Sequence, residues 1–146
     1  MQQPPSFDHA FTITDPQLIS FKRERKRIQK NAGSLQERLL FTKEFIDRNL
    51  HMPLRLKDMA GTAFISEYHF VRLFKVSFDI TPHQYHLKKR LAHAEQLLLN
   101  SSYTIEDIAY KCGFSNISTF SKAFKKHFVI SPSQYKLNNS TNSISA

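Results

Sequence analysis

Apolar residues recur along much of the chain at spacings of three and four, which is the period of an amphipathic α-helix. The longest stripe predicts one helix over residues 81–100, with apolar positions at Leu87, Leu91, Ala94 and Leu98. Thr81 and Gln84 are placed to form a capping box around Pro82, which suits the first helical position. Three basic residues between the stripe positions are expected to be largely solvated: Lys88, Lys89 and Arg90.

The same period predicts further helices before and after this one. The first is expected to begin at Ser34, where Glu37 completes a capping box, and to end near Asn49. The others are predicted over residues 56–63, 67–78, 105–112 and 116–128, with a last short helix that starts at residues 131–134. The pattern therefore indicates an all-α fold. The three glycines also argue against a β-barrel or β-sandwich, which need many turns.

The segments on either side of helix 81–100 repeat one unit. Residues 58–60 match residues 107–109 at an offset of 49. Residues 70–85 then share phenylalanine, lysine, proline, glutamine and tyrosine positions with residues 120–135 at an offset of 50. One residue inserted in the second turn explains the change of offset. The chain thus contains a duplicated helix–turn–helix unit.

The turns inside the two units differ in composition. The second turn, residues 113–115, contains Gly113, which can adopt a positive φ without cost. The first turn, residues 64–65, has Phe64 and no glycine, so the sequence does not define its geometry.

A helix–turn–helix holds its second helix out from the body of the domain, where that helix fits a DNA major groove about 12 Å wide. With roughly 18 residues in helical conformation, helix 81–100 would span about 27 Å, enough to hold two such helices about one DNA turn, roughly 34 Å, apart. One chain could then read two successive major-groove segments without dimerising. The alternative is a pair of packed helical hairpins with no role on DNA.

Charge favours the first interpretation. The chain carries a formal charge of +9 at pH 7 and has a pI near 9.8. A balance this basic favours an anionic polymer as partner, because bound cations release the counterions condensed on phosphates. A protein that is basic without binding polyanions is the alternative. The densest basic run, residues 22–30, is either a phosphate-contacting arm or a solvated charge run.

Catalytic and metal-binding classes are not indicated. Cys112 is the single cysteine, which excludes an internal disulfide framework and a cysteine-based zinc site. His83, His86 and His93 lie on helix 81–100, but no matching acidic residue completes a ligand set, so we expect solvated or capping histidines. Phosphate-binding-loop, serine-nucleophile and zinc-protease motifs do not occur. We therefore expect no enzymatic activity, no metal and no cofactor.

Membrane insertion and secretion are not indicated either. The sequence has no run of 18 apolar residues, so we expect no transmembrane helix. The N-terminus lacks a basic segment followed by an apolar one, so it is not a secretory signal. A single cysteine is compatible with a reducing cytosol.

Specific motifs in the repeated unit resemble a known family. The second unit reads IEDIAYKCGFSNISTFSKAFKKHFVISPSQY. Its IA and GFS elements, its F-S-x-x-F-K-K run and its SPSQY end resemble the signature of the AraC/XylS family of transcription regulators. The first unit, ISEYHFVRLFKVSFDITPHQY, is similar to the segment that carries that family's first recognition helix. The resemblance covers the DNA-binding domain, over residues 34–136.

This resemblance implies seven helices in two homeodomain-like lobes, residues 34–80 and 101–136, joined by the linker helix 81–100. It implies sequence-specific binding to double-stranded DNA at promoter sites, often with activation through RNA polymerase as a partner. It implies a cytoplasmic location in a bacterium, at the nucleoid, and no membrane partner.

The resemblance also assigns base-contacting positions. In the first recognition helix they fall at Glu67, Tyr68, Val71 and Arg72, and in the second at Ile117, Ser118, Thr119 and Lys122. Arg72 can bind guanine O6 and N7 in a fork, and Lys122 can do so less rigidly or hold a phosphate. Val71 and Ile117 can pack on a thymine methyl group, or else belong to the half-buried core. Tyr68 can equally pack against its own lobe.

Further residues at these helices are candidate phosphate contacts: Ser66, Lys75, Asn116, Lys125 and Lys126. For the lysines, a solvated helix face is the alternative. Glu67 would repel phosphates but would tolerate a cytosine amino group.

The ends of the chain are expected to lack a fixed fold. We expect a flexible basic arm over residues 1–33 and a disordered tail over residues 137–146. Many AraC/XylS proteins carry a large N-terminal sensor domain, whereas about 33 residues precede Ser34, too few to enclose a small-molecule pocket. We expect no effector site within this chain, which resembles the single-domain members. The alternatives are a fragment of a larger sensor-regulator and a non-specific architectural DNA-binding protein.

Overall fold

The computed structural model describes residues 33–142 together with Arg23. The predicted N-terminal arm therefore lies almost wholly outside the described residues, as do residues 143–146. Within residues 33–142 the regular elements are α-helices: α1 (Leu35–Arg48), α2 (Leu56–Ala63), α3 (Glu67–Phe78), α4 (Pro82–Asn100), α5 (Ile105–Lys111), α6 (Ile117–Phe128) and α7 (Pro132–Asn142). Their bounds agree with the predicted helices to within one residue, except at the end of α7.

The helices form two lobes, each with its own apolar core. The first core lies among α1, α2 and α3, with Leu39, Phe41, Phe45, Ile46, Leu54, Met59, Ala60, Ala63, Phe70 and Phe74 buried. The second lies among α4, α5 and α6, with Leu91, Ala94, Leu98, Ile108, Ala109, Cys112, Phe114, Phe120 and Phe124 buried. The prediction of two helix–turn–helix subdomains joined by a long helix is confirmed.

Helix α4 belongs to both lobes. The hydroxyl of Tyr85, in the first turn of α4, donates to the carboxylate of Asp47 on α1, at 2.9 and 3.0 Å. In the equivalent place, the hydroxyl of Tyr135 on α7 donates to Glu95 on α4. The beginning of α4 thus closes the first lobe as α7 closes the second. The rest of α4 takes the place in the second lobe that α1 has in the first.

Side-chain caps set the starts of the helices. The predicted reciprocal capping boxes are present: Ser34 with Glu37 in α1, Thr81 with Gln84 in α4, and Thr104 with Asp107 in α5. In the last of these, the Thr104 hydroxyl donates to the carboxylate at 2.7 Å, and this hydrogen bond lowers the pKa of Asp107. These boxes satisfy amide groups that a helix start otherwise leaves unpaired.

The two turns begin with the same backbone course despite their different residues. Phe64 follows α2 with φ +56°, and Gly113 follows α5 in the equivalent position with φ +78°. In each turn the next amide donates to a carbonyl of the short helix, at 3.5 Å in the first and 3.0 Å in the second. The inserted residue of the second unit is therefore Ser115. A phenylalanine can make this turn, so the turn itself does not require glycine.

The first half of α4 is buried differently from the prediction. His86 is 4% exposed and Leu87 is 38% exposed, so the buried stripe passes through the histidine and not the leucine. The prediction of solvated histidines was wrong for His86. It holds for His83, which is exposed. Because α4 packs on one lobe with its beginning and on the other with its end, a single apolar stripe does not describe it.

Arg90 is half-buried, where a solvated side chain was expected; Lys88 is exposed and Lys89 partly covered. The Nε of Arg90 donates to the carbonyl oxygen of Cys112 at 2.6 Å. Arg38 on α1 makes the equivalent bond to the carbonyl oxygen of Ala63, at 3.1 Å. Each lobe thus ties the end of its short helix to its first helix with an arginine. This structural role removes Arg90 from the solvated face.

Helix α7 is longer than expected. Residues 137–142, predicted to belong to a disordered tail, form its last turns. Asn139 donates to the carbonyl oxygen of Tyr135 at 2.8 Å, and Ser140 donates to that of Lys136 at 2.9 Å. These last turns carry no apolar stripe, which is why composition alone did not reveal them.

Candidate nucleic-acid interface

The two recognition helices turn the same face toward their cores. Residues 70–82 and 120–132 have the same succession of buried, half-buried and exposed positions, residue for residue. Phe70 and Phe74 anchor α3, and Phe120 and Phe124 anchor α6 at the offset of 50. The outward faces therefore correspond as well. The predicted site residues form two separate sets, one on each lobe.

Tyr68 and Arg72 lie at the centre of the outward face of α3. The Tyr68 side chain is 67% exposed, so it does not pack against its lobe. Arg72 donates from Nη1 to the Tyr68 hydroxyl at 3.3 Å, and its guanidinium carbon lies 5.7 Å from the ring centre. The tyrosine thus supports an arginine that is itself exposed.

The other two predicted base contacts of α3 differ in exposure. Glu67 is exposed in the first turn of the helix. Val71 is half-buried, as is Ser121 at the equivalent position of α6. The half-buried alternative raised for Val71 therefore describes it better than a fully outward position.

On α6 the predicted base contacts are all exposed: Ile117, Ser118, Thr119 and Lys122. Ile117 is 43% exposed, so a large part of its side chain lies outside the core of its lobe. The half-buried alternative for this isoleucine is not supported. This face offers hydroxyl groups, one ammonium group and one apolar surface.

The predicted phosphate contacts lie at the start and along the flank of the two helices. Ser66 and Asn116 are the N-caps, whose side chains accept from the amides of His69 and Thr119, at 3.3 and 2.8 Å. The three lysines are exposed and form no ion pair with any described residue: Lys75, Lys125 and Lys126. Their charges are therefore not neutralised by neighbouring carboxylates in this part of the chain.

One outward residue was missed by the sequence analysis. His69 is exposed on α3, beside Tyr68, and its Nδ1 lies 2.8 Å from the Ser66 hydroxyl. It occupies the position that Thr119 has in α6. The offset of 50 residues, applied to Thr119, would have identified it.

A cleft separates the lobes on one flank of α6. It has a volume of about 1080 Å³, and Thr119 and Ala123 of α6 line one side. His51 and Arg55, from the segment between α1 and α2, line the other. The second recognition helix therefore faces the first lobe along this flank.

The residues raised as rival catalytic or metal-binding groups are not arranged for those roles. Cys112 is fully buried, and this burial raises the pKa of its thiol to about 11, which suppresses the nucleophilic thiolate. Among the described residues, no three histidine, cysteine or acidic side chains are grouped to hold a metal ion. Within residues 33–142, moreover, no helix is both long enough and apolar enough to span a bilayer.

Comparison with known proteins agrees with this geometry. Residues 59–138 match the family described as a helix-turn-helix domain. The lactose operon transcription activator of Staphylococcus xylosus is 37% identical over 93 residues, which cover 64% of this chain and 33% of that protein. The chain spans about a third of the length of the curated relatives that it matches.

Two solved structures share the fold. An AraC-type regulator from Chromobacterium violaceum is 33% identical, with a TM-score of 0.65, and the match covers 71% of this chain and 93% of that one. The DNA-binding domain of AdpA, solved with a target DNA, has a TM-score of 0.70 at 24% identity, over 72% of this chain and 95% of that one. The matches to the helix-turn-helix family, to the Staphylococcus xylosus activator and to the Chromobacterium violaceum regulator confirm the resemblance drawn from the repeated unit. They identify a family that regulates transcription and is not enzymatic. The chain belongs to the AraC/XylS family of transcription regulators, whose DNA-binding helix–turn–helix domain it contains.

Proposed function

We propose that this regulator binds DNA sequence-specifically and reads two successive major-groove segments, the first with α3 and the second with α6. The observation that carries the proposal is the repeated outward face of these two helices. Two equivalent helices held by one linker helix suit two adjacent groove segments. The net charge of +9 supports the proposal, because it favours binding to the phosphate backbone.

On α3, Arg72 is the main base-reading residue. An exposed guanidinium can donate two parallel hydrogen bonds to guanine O6 and N7. Glu67 and Tyr68 flank it; the glutamate can accept from a cytosine amino group and disfavours a close phosphate. Val71 contributes an apolar contact to a thymine methyl group at its exposed edge.

On α6 the proposed readout is more polar and less rigid. Ser118 and Thr119 can donate to or accept from base edges, and Lys122 can donate to guanine or hold a phosphate. Ile117 is placed to pack on a thymine methyl group. We expect this half of the DNA site to be less strictly defined than the half read by Arg72.

The remaining candidates hold the DNA backbone. Lys75, Lys125 and Lys126 supply charges for phosphates beside the two grooves, and Ser66 and Asn116 contact phosphates at the helix starts. Such contacts set the position of the protein on the duplex but carry no direct base preference.

We also propose that the regulator activates transcription through contact with RNA polymerase, in the cytoplasm on nucleoid DNA. The support is the relative from Staphylococcus xylosus, which is a transcription activator. Transcription in vitro with purified polymerase, from a promoter joined to the selected DNA site, tests this: added protein should raise transcript yield, and lowered yield would indicate a repressor.

A non-specific architectural protein is the second candidate. The exposed lysines without acidic partners favour it, since they would bind any duplex. An architectural protein, however, would not need two structured helices whose outward faces carry different side chains.

Selection from a randomised duplex pool, at near-physiological salt, separates these functions. Enrichment of a two-part motif with its halves about one helical turn apart is expected from the proposed function. A motif of one half only would mean that one helix reads bases while the other holds the backbone. Salt-sensitive binding without enrichment would replace the proposal with the architectural function.

A further inference from the structure

The turn that precedes α6 touches the first lobe. A Cβ atom placed on Gly113 would lie 2.7 Å from the carbonyl oxygen of Leu50 and 2.9 Å from the carbonyl carbon of His51. Leu50 and His51 follow α1, so these atoms belong to the other lobe. They are backbone atoms, which cannot swing aside as the end of a long side chain can. At this point the lobes meet without an intervening side chain.

Neither the conformation of the turn nor the arginine bond beside it explains why residue 113 is a glycine. Phe64 adopts a positive φ at the equivalent position of the first lobe and carries a full side chain there. The arginine bond to the preceding residue is also the same in both lobes, from Arg38 to Ala63 and from Arg90 to Cys112. What distinguishes Gly113 is the approach of the neighbouring lobe.

The contact acts close to the second recognition helix. Gly113 precedes the N-cap Asn116 by three residues, and Phe114, between them, is 4% exposed in the second core. The guanidinium of Arg90 lies 3.8 Å from the centre of the Phe114 ring. The turn, α6 and α4 are thus packed together, and a displacement at Gly113 must move α6 relative to the first lobe.

We propose that Gly113, seated on the backbone of Leu50 and His51, is a positioning residue that sets the separation of α3 and α6. It thereby sets the spacing between the two DNA half-sites that the chain prefers. The second part rests on the proposed function, whereas the first concerns the protein alone. Gly113 itself need not contact DNA.

Two matched variants test this. Gly113→Asn adds a Cβ at the contact, yet asparagine tolerates a positive φ better than most residues. Phe64→Asn places the same residue in the same conformation at the turn of the first lobe, and it controls for strain and for local loss of stability. Circular dichroism and thermal unfolding establish that each variant is folded.

The first readout needs no DNA. Spin labels at Val76→Cys and Lys126→Cys, two equivalent outward positions, report the distance between the lobes by double electron–electron resonance, with Cys112→Ala as background. The labelled protein with Gly113 in place should give one narrow distance distribution. Gly113→Asn should shift or broaden it, and Phe64→Asn should not. A broad distribution with Gly113 in place, or an unchanged one in Gly113→Asn, would overturn the proposal even if no specific DNA is ever found.

The second readout uses duplexes that carry the selected half-sites at spacings changed by single base pairs, and each half-site alone. Gly113→Asn should bind the preferred bipartite site between about tenfold and a hundredfold more weakly, because the lobes no longer engage together. Its affinity for an isolated half-site should change less than about twofold, and its preferred spacing should move. Equal losses on bipartite and single sites would show a local folding defect and contradict the positioning role.

Discussion

Arg72 and Tyr68 lie one helical turn apart on α3, and the arginine donates a hydrogen bond to the tyrosine hydroxyl at 3.3 Å. The guanidinium also lies 5.7 Å from the centre of the tyrosine ring. A side chain supported in this way has less conformational freedom to lose when it binds a base. The contact with Tyr68 therefore partly preorganises the guanidinium of Arg72 on α3.

Replacing this arginine should remove one specific base contact. Arg72→Ala is expected to cost about 1–3 kcal/mol of binding free energy on the best site and to relax selectivity at one base position. Titrations against duplexes that carry each base in turn at every position measure both effects. Tyr68→Phe, which loses only the hydroxyl, should cost less. An equal loss on every DNA sequence would count against base readout by Arg72.

Lys125 is expected to contact a phosphate of the DNA backbone and not a base. Lys125→Ala is expected to weaken binding to all sequences alike and to reduce the slope of log affinity against log salt by about one unit, because one fewer counterion is released. Binding isotherms at several salt concentrations give the slope. Lys88→Ala, an exposed lysine on α4 outside both recognition helices, is the matched control. An unchanged slope would remove Lys125 from the phosphate contacts.

Burial of His86 predicts a loss of stability in acid. Burial, with the nearby positive charges of Arg90 and His83, lowers the pKa of His86 from 6.5 to about 4. Between these values the unfolded chain binds a proton that the folded chain does not. The full stability is therefore present above about pH 6.5 and is lost as the pH falls toward 4. Between pH 7 and pH 5 this histidine alone should lower the free energy of unfolding by about 2 kcal/mol.

Urea unfolding at a series of pH values measures this contribution. His86→Leu should remove the corresponding part of the pH dependence. The exposed histidine variant His93→Leu should retain the pH dependence due to His86. A His86→Leu profile that parallels the unaltered protein would show that the imidazole is not held neutral by its surroundings.

Val129 at the end of α6 predicts a stabilising substitution. It has φ +76° and is 78% exposed, so a β-branched side chain adopts a strained conformation with little packing in return. Asp79, the equivalent residue after α3, has φ +58° with a short polar side chain. Val129→Asn should raise the free energy of unfolding by about 1 kcal/mol. Val76→Asn, at a valine that is 81% exposed within α3, is the control and should give no such gain.

The helix bounds could be predicted because their signals are local. Ser66, Thr81, Thr104 and Asn116 cap the amides that follow them within a few residues, and no distant contact is needed to start these helices. The repeat added the correspondence between residues of the first lobe and residues of the second. Because the repeat relates the two units residue by residue, the bounds of α3 and α6 could be predicted together.

The burial of His86 and Arg90 could not be predicted from the same signals. Each depends on residues that approach α4 from another part of the chain. His86 lies on the side of α4 that faces the cleft between the lobes, and Arg90 bonds to the carbonyl oxygen of Cys112. For Val71, a base-facing position and a half-buried core position were both left open, for a related reason. Its position was carried over from a family pattern, whereas its exposure depends on how α3 is rotated on the aromatic core.

The shared burial pattern of residues 70–82 and 120–132 has an evolutionary consequence. Since the same positions are buried in both lobes, an outward side chain can be exchanged in one lobe without disturbing the core of either. On the proposed function, in which α3 and α6 each read one half of the DNA site, such an exchange would alter the recognition of one half and leave the binding to the other half unchanged. A regulator built in this way could then acquire a new binding preference one half-site at a time, through intermediates that still bind DNA with the other lobe.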